Sequence, residues 1–249
     1  MSQRIQLVIA YDGAPFAGWQ SQANGRGVQD HIEAAAAKIC KRKITIHGAG
    51  RTDAGVHATG QTAHFDSGEV MLSALAWVRA FNANLPNEIR VTRAKCMPPD
   101  FHARFSATGK VYRYRIVTSP VLMPEDFRRA WHFPAPIDPE KLTRALSQFV
   151  GCHDFRPFAA KRVGKPVEDS TRTIQSITCR SRGPEWLITV QGDGFLYKMV
   201  RIVVASAVRV AHGREPDDWI ASLLANPHGP KSPHVAPADG LTLLRVRYR

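Results

Sequence analysis

KITIHGAGRTDAGVHATGQTAHF, from Lys43 to Phe65, is the stretch on which the fold turns. Lys43 to Gly50 and Thr59 to Phe65 each carry β-branched or aromatic residues in rough alternation, the period of a half-buried strand. Between them RTDAGVHA, Arg51 to Ala58, reads as a tight loop. Gly48, Gly50 and Gly55 allow sharp turns and close approach of another molecule to the backbone. Asp53 therefore stands in a strand-to-strand loop, with Arg51 two positions before it. A carboxylate there can be presented to a ligand, although an Asp beside Gly is more often a turn former whose side chain bonds its own backbone. Two phosphate-loop readings fail. The glycine spacing is not G-x-G-x-x-G, and the pair Gly50 and Gly55 has the Walker spacing but is followed by Val56 where that loop needs lysine.

Outward from this loop the first half reads β-α-β-β-α-β. A strand over Ile5 to Tyr11 precedes a helix over Val28 to Cys40, whose Val28, Ile32, Ala35, Ala36 and Ile39 form one apolar stripe. Two strands flank Asp53, a helix is expected over Met71 to Asn84 ahead of Pro86, and a strand over Ile89 to Ala94 closes the unit. The second half repeats the order. Strands fall at Lys110 to Thr118, Thr173 to Arg180, Trp186 to Gln191 and Leu241 to Tyr248. Helices fall at Pro139 to Val150, Phe195 to about Val210 and Asp217 to Leu224. The fold class expected is α+β, two ferredoxin-like halves with antiparallel sheets and helices on one face, around a central cleft that would take substrate. Periodicity is lost between Pro98 and Gly109, so the domains are read as 1–104 and 105–249, joined by a linker that carries His102 and Arg104 as candidates for substrate contact. A longer irregular stretch, Gly151 to Arg172, holds Lys161, Arg162 and Lys165, which suits phosphate contact and a plain solvated surface equally.

The 249 residues are 44% apolar, enough for a sizeable core, and carry 34 basic against 21 acidic side chains, a formal charge of +13 with a pI near 10.1. Such a field attracts polyanions, and nucleic acid is the leading partner. Along VYRYRIV, Tyr112, Tyr114 and Ile116 share one strand face while Arg113 and Arg115 share the other. Arg245, Arg247 and Arg249 alternate with Leu244, Val246 and Tyr248 in the same way, which serves RNA contact or the protection of a sheet edge. Cys40, Cys96, Cys152 and Cys179 have neither finger nor disulfide-framework spacing, so reduced, mostly buried thiols are expected. His57 and His64 have no carboxylate at a ligand spacing, and no metal is expected. With no secretory h-region and no apolar run long enough for a membrane helix, a cytoplasmic protein is expected.

GRTDAGVHATGQTAHF, Gly50 to Phe65, resembles the catalytic motif of the TruA family of tRNA pseudouridine synthases. YDGAPFAGWQSQ from Tyr11, LPNEIRV from Leu85, FHARFSATGKVYRYRI from Phe101, GCHDFRPF from Gly151, RTI from Arg172, GFLYKMVR from Gly194 and PADGLTLLRVRY from Pro237 resemble further blocks of that family, in order. The resemblance spans nearly the whole chain. It implies isomerisation of uridine to pseudouridine at positions 38, 39 and 40 of the tRNA anticodon arm, without a cofactor, by a homodimer. By the same resemblance Asp53 is the nucleophile, attacking ribose C1′ or uracil C6. Arg201 is its ion-pair partner, needed because burial alone favours the neutral acid. Arg51 holds the flipped nucleotide, Tyr112 stacks on the uracil and assists at C5, and Leu241 packs against the base's other side. Lys198 stands where many relatives have histidine. Ile202, Val204 and Ala205 replace a more usual Asn and Gly pattern, and Gly27 stands where a capping Thr is common. Two other classes remain: a non-catalytic structured-RNA binding protein, and an N-glycoside hydrolase that would release free uracil.

Overall fold

The computed structural model describes residues 2–22, 25–160 and 169–249. In chain order the elements are β1 (Arg4–Tyr11), α1 (Val28–Cys40), β2 (His47–Gly48), β3 (His57–Asp66), α2 (Ala74–Asn82), β4 (Ile89–Met97) and β5 (Ala107–Val117), then β6 (Trp131–His132), α3 (Pro139–Ser147), β7 (Gly151–Asp154), β8 (Thr171–Arg182), β9 (Glu185–Gly192), α4 (Met199–Ala211), α5 (Trp219–Ala225) and β10 (Leu241–Tyr248). Two compact units result. One comprises Met1–Thr108 with Thr242–Arg249, the other Gly109–Leu241. The terminal strand, grouped with the second half in the sequence reading, thus packs with the first unit.

In the first unit β1 is flanked by β4 and β3, both antiparallel to it, and β2 pairs antiparallel with β3. The strand order β4-β1-β3-β2 with two helical crossovers is the ferredoxin-like arrangement expected from the β-α-β-β-α-β pattern. β1 illustrates why: Ile5, Leu7, Ile9 and Tyr11 are buried in strict alternation with Arg4, Gln6 and Val8. α1 spans the expected residues. Asp30 caps it by accepting the Gly27 N–H at 2.8 Å, so the missing Thr leaves a capped helix start. α2 is shorter than expected. It starts after Ser73, whose hydroxyl accepts from Ala76 N–H, and docks through buried Trp77 and Phe81 onto Phe65 at 5.3 and 5.7 Å between ring centroids.

β3 is buried on both faces, because its second face is covered too. The stretch read as a linker folds back there. Phe101 and Ala103 pack with Ala49, and half-buried Met97, Val246 and Tyr248 close over them. Tyr248 donates its hydroxyl to Ala103 O at 2.7 Å, and Arg4 donates to Phe101 O at 3.0 Å. β10 pairs parallel with the start of β3, Thr242 opposite His57 and Leu243 opposite Ala58. The alternation read in its sequence holds, with Val246 and Tyr248 packed inward and Arg245, Arg247 and Arg249 exposed.

In the second unit β9 lies antiparallel between β5 and β8, and β7 pairs antiparallel with β8. β7 occupies the first part of the stretch read as irregular. Lys161, Arg162 and Lys165 lie outside the described residues. α4 begins at Met199, four residues later than the apolar stripe suggested, because Lys198 takes a left-handed conformation with φ 59° and Met199 N–H closes a turn on Leu196 O. All of α4 is buried except half-buried Arg201 and Arg209. Ile202, Val204 and Ala205, the departures noted above, are therefore packing residues of a central helix. The thiols also differ from expectation: Cys40 is buried and Cys179 half-buried, whereas Cys96 and Cys152 are exposed. Among the described residues no helix is long and apolar enough to cross a membrane.

Candidate active site

The Asp53 loop is held from several sides by its own unit. Its entry is fixed where Ala49 N–H bonds Thr62 O at 2.8 Å and the Gln61 amide bonds Gly50 O at 2.9 Å. At its centre Thr52 is buried, its hydroxyl 2.8 Å from the buried Tyr11 hydroxyl and its carbonyl accepting Trp19 N–H at 3.1 Å. Burial pushes the Tyr11 phenol well above its ordinary pKa, so it stays a neutral partner for Thr52. The exit turn closes from Val56 N–H to Asp53 O at 3.1 Å, with Gly55 at φ 81°.

Two glycines of the preceding segment touch this loop directly. A Cβ on Gly13 would lie 2.0 Å from Val56 O, and one on Gly18 would lie 2.7 Å from Thr52 O and 3.1 Å from the Asp53 carbonyl carbon. Gly18 in addition has φ 98°, a conformation that favours glycine. Gly13 N–H donates to His57 Nδ1 at 3.1 Å, and Asp12 Oδ1 lies 3.1 Å from the same nitrogen. YDGAPFAGW is thus a clamp: its glycines let backbone lie on backbone, and Tyr11 and Trp19 bond the residue next to Asp53. Asp53 itself is half-buried and Arg51 exposed. Sequence reasoning found the aspartate and missed the clamp. Its available signal was two glycines and two large aromatics in a short aperiodic stretch after a strand.

In the second unit Arg201, in the first turn of α4, donates from Nε to Ala236 O at 2.7 Å and accepts Ala236 N–H at 3.3 Å. The following residues bind β5: Tyr114 donates its hydroxyl to Pro237 O at 2.7 Å, and Arg115 N–H bonds Gly240 O at 2.8 Å. Leu241 N–H closes the turn on Ala238 O, and the Leu241 side chain is buried. Residues 236–240 therefore tie Arg201, Leu241 and the tyrosine strand together within this unit. Tyr112 is buried and meets Phe195 edge-on at 5.3 Å.

His102 and Arg104 sit elsewhere in the first unit, on a turn over the far end of β3. His102 joins His64 and His47, with ring centroids 4.6 Å (His102 to His64) and 5.0 Å (His64 to His47) apart. His64 Nδ1 accepts Ala103 N–H at 3.1 Å. Burial first, then the neighbouring His102, His47 and Arg4, push the His64 pKa down to about 4. The unfolded imidazole takes up a proton near pH 6.5 and the folded one only near 4, so stability present above 6.5 is lost as pH falls through that window. The loss is about 2–3 kcal/mol for this one group. His64→Asn keeps an acceptor for Ala103 N–H without the titration. Urea unfolding of that variant at pH 7 and at pH 4.5 should show a correspondingly smaller loss than the parent protein. Equal losses in the two proteins would exclude His64 as the source. Among the described residues no group of three or more His, Cys, Asp or Glu is placed to hold a metal ion.

The sequence profile of the tRNA pseudouridine synthase family matches residues 7–106 and 145–249. The chain belongs to that family. A protein of Akkermansia muciniphila named tRNA pseudouridine synthase A is 46% identical over 98% of this chain and 95% of its own length. Proteins of the same name from Syntrophotalea carbinolica and Halalkalibacterium halodurans are 41% and 40% identical, over 98% and 96% of this chain and 96% and 90% of theirs. As a pseudouridine synthase this chain is an isomerase. The clamp, the Asp53 loop, Arg201 and residues 236–241 lie within the matched residues, whereas the tyrosine strand that 236–240 bind lies outside them.

Proposed function

We propose that the protein isomerises uridine to pseudouridine at positions 38, 39 and 40 of the tRNA anticodon stem-loop, with Asp53 as nucleophile. The observation that carries the reading is the Asp53 loop itself, held by Tyr11, Trp19 and the two glycines so that a half-buried carboxylate follows a buried threonine. A nucleophile is useful only if held in one geometry, and the clamp supplies that at the backbone.

The reaction breaks the N-glycosidic bond and rejoins the same base through carbon. Asp53 attacks ribose C1′, displacing uracil N1, or adds to uracil C6 before N1 leaves C1′; the base turns, C5 bonds to C1′, the Asp53–carbon bond breaks, the C5 proton leaves and N1 takes up a proton. No electrons are transferred to a second molecule, so the chemistry calls for no cofactor. In this reading Arg201 keeps Asp53 ionised, Tyr112 stacks on the uracil and assists departure of the C5 proton, and Leu241 covers the base's other face. Arg51 holds the flipped conformation, and extrusion of the base is what lets Asp53 reach it. His102 and Arg104 contact the RNA outside the flipped base. A homodimer in the cytoplasm, with one tRNA reaching across both subunits, completes the proposal, and a charge of +13 favours such a polyanionic substrate.

Pseudouridine mapping by carbodiimide adducts on tRNA incubated with the protein tests the reading. Adducts should appear at positions 38 to 40. Free uracil among the products would identify a hydrolase instead, and bound but unmodified tRNA would identify a binding protein.

A further inference from the structure

Phe105 is 76% exposed, the most exposed large apolar side chain among the described residues. It is nevertheless held in place. Its ring lies 4.4 Å from the His102 ring, tilted by 36°, and His102 in turn rests on His64. The turn that carries it is closed on itself. His102 Nδ1 accepts the backbone N–H groups of Arg104 at 3.1 Å and Phe105 at 3.4 Å, His102 N–H donates to Ser106 Oγ at 3.0 Å, and Ser106 N–H donates to His102 O at 2.9 Å. The Arg104 guanidinium lies over the Phe105 ring, 5.6 Å from its centroid.

From this arrangement we infer that Phe105 is a stacking platform for an unpaired RNA base, with Arg104 beside it to take the adjoining phosphate. A nucleotide uses both parts at once, its base on the ring and its phosphate on the cation. An apolar protein surface docking on the ring would have to desolvate the guanidinium without replacing its water. The surrounding charge points the same way, since a chain at +13 gathers polyanions. Position adds to this. His47 of the same histidine group lies in β2, and Arg51 at the Asp53 loop follows it by four positions, a stretch that spans at most about 13 Å. A base on Phe105 would therefore lie within a few nucleotides of the one presented to Asp53. The inference rests on the function proposed above and adds to it a contact that grips the strand away from the reacting base.

The test uses the full-length protein in an Asp53→Ala background, so that binding is read without turnover, and an anticodon stem-loop RNA as probe. Phe105→Ala should weaken binding about tenfold, as loss of one stacked base does, and leave the slope of log Kd against log salt unchanged. Phe105→Trp should restore it. Irradiation of the same RNA carrying 5-iodouridine in its loop should crosslink the peptide that contains Phe105. Affinity within twofold of the parent for Phe105→Ala, with no crosslink at that peptide, would overturn the inference. So would an affinity loss that tracks a fall in oligomeric mass by light scattering, which would make Phe105 a contact between protein chains. Pseudouridine formation by the unaltered protein, measured in parallel, reports on the proposed function separately: activity there with an indifferent Phe105→Ala removes only the platform.

Discussion

Asp53→Asn is expected to lower the single-turnover rate of pseudouridine formation by more than about three orders of magnitude while leaving RNA affinity within about threefold. Asparagine keeps the size of the side chain and these backbone bonds of the loop: Thr52 is held through its hydroxyl and carbonyl, and the exit turn through Asp53 O. What it removes is the anionic oxygen that forms the covalent bond in the proposed reaction, and loss of a nucleophile has effects of that size in other enzymes. Binding should persist because it is spread over phosphate contacts that the substitution does not touch. A rate within tenfold of the parent would show that Asp53 is a turn residue. A large parallel loss of affinity would show instead that the loop had been disturbed, and a melting curve would reveal it.

The second large effect belongs to a residue with no reactive group. Gly18→Ala puts a methyl 2.7 Å from Thr52 O at a backbone φ of 98°. The neighbour is backbone, so it cannot rotate away. Either the clamp segment or the Asp53 loop must move. The left-handed conformation and the overlap together are expected to cost about 2–4 kcal/mol of stability. Displacing the carboxylate by about 1 Å should lower kcat about a hundredfold in whatever protein remains folded. Measuring kcat per mole of folded protein, at a temperature well below the variant's melting point, separates the two effects. A fully active enzyme of lowered melting temperature would make Gly18 a stability residue alone.

How far the residues themselves revealed this depends on what kind of signal each carries. β1 and α1 were readable because their burial follows from one period, Ile5-Leu7-Ile9-Tyr11 in the strand and Val28-Ile32-Ala35-Ala36 in the helix. The start of α4 was not, because Leu196 continues the apolar stripe and the left-handed turn at Lys198 is set by tertiary packing. β7 is four residues with no alternation to betray it, and it exists because β8 offers it a partner. The stretch from Pro98 to Gly109 reads as a linker since its inward residues are too few to make a period. Its order comes from bonds to Arg4, His64 and Tyr248, distant in the chain. For the site, turn chemistry led to the Asp53 loop, whereas its partners were named through the resemblance alone. The clamp was hidden for a physical reason: a glycine in a sequence does not say which carbonyl it lies against.

Strand β10 has a consequence for how the protein comes to exist. Its residues from Thr242 on belong to the unit that begins at the N-terminus, so that unit is discontinuous and the second is inserted within it. During synthesis the nascent first unit must wait for the whole second unit to be translated, on the order of ten seconds at ordinary elongation rates. Until then Ala49, Phe101 and Ala103 lack the cover of Val246 and Tyr248, and Ala103 O lacks its hydroxyl donor. The loop bearing Asp53 joins strands of this late-finishing unit, and a chain ended before Thr242 would hold every residue of the second unit without the strand that completes the first.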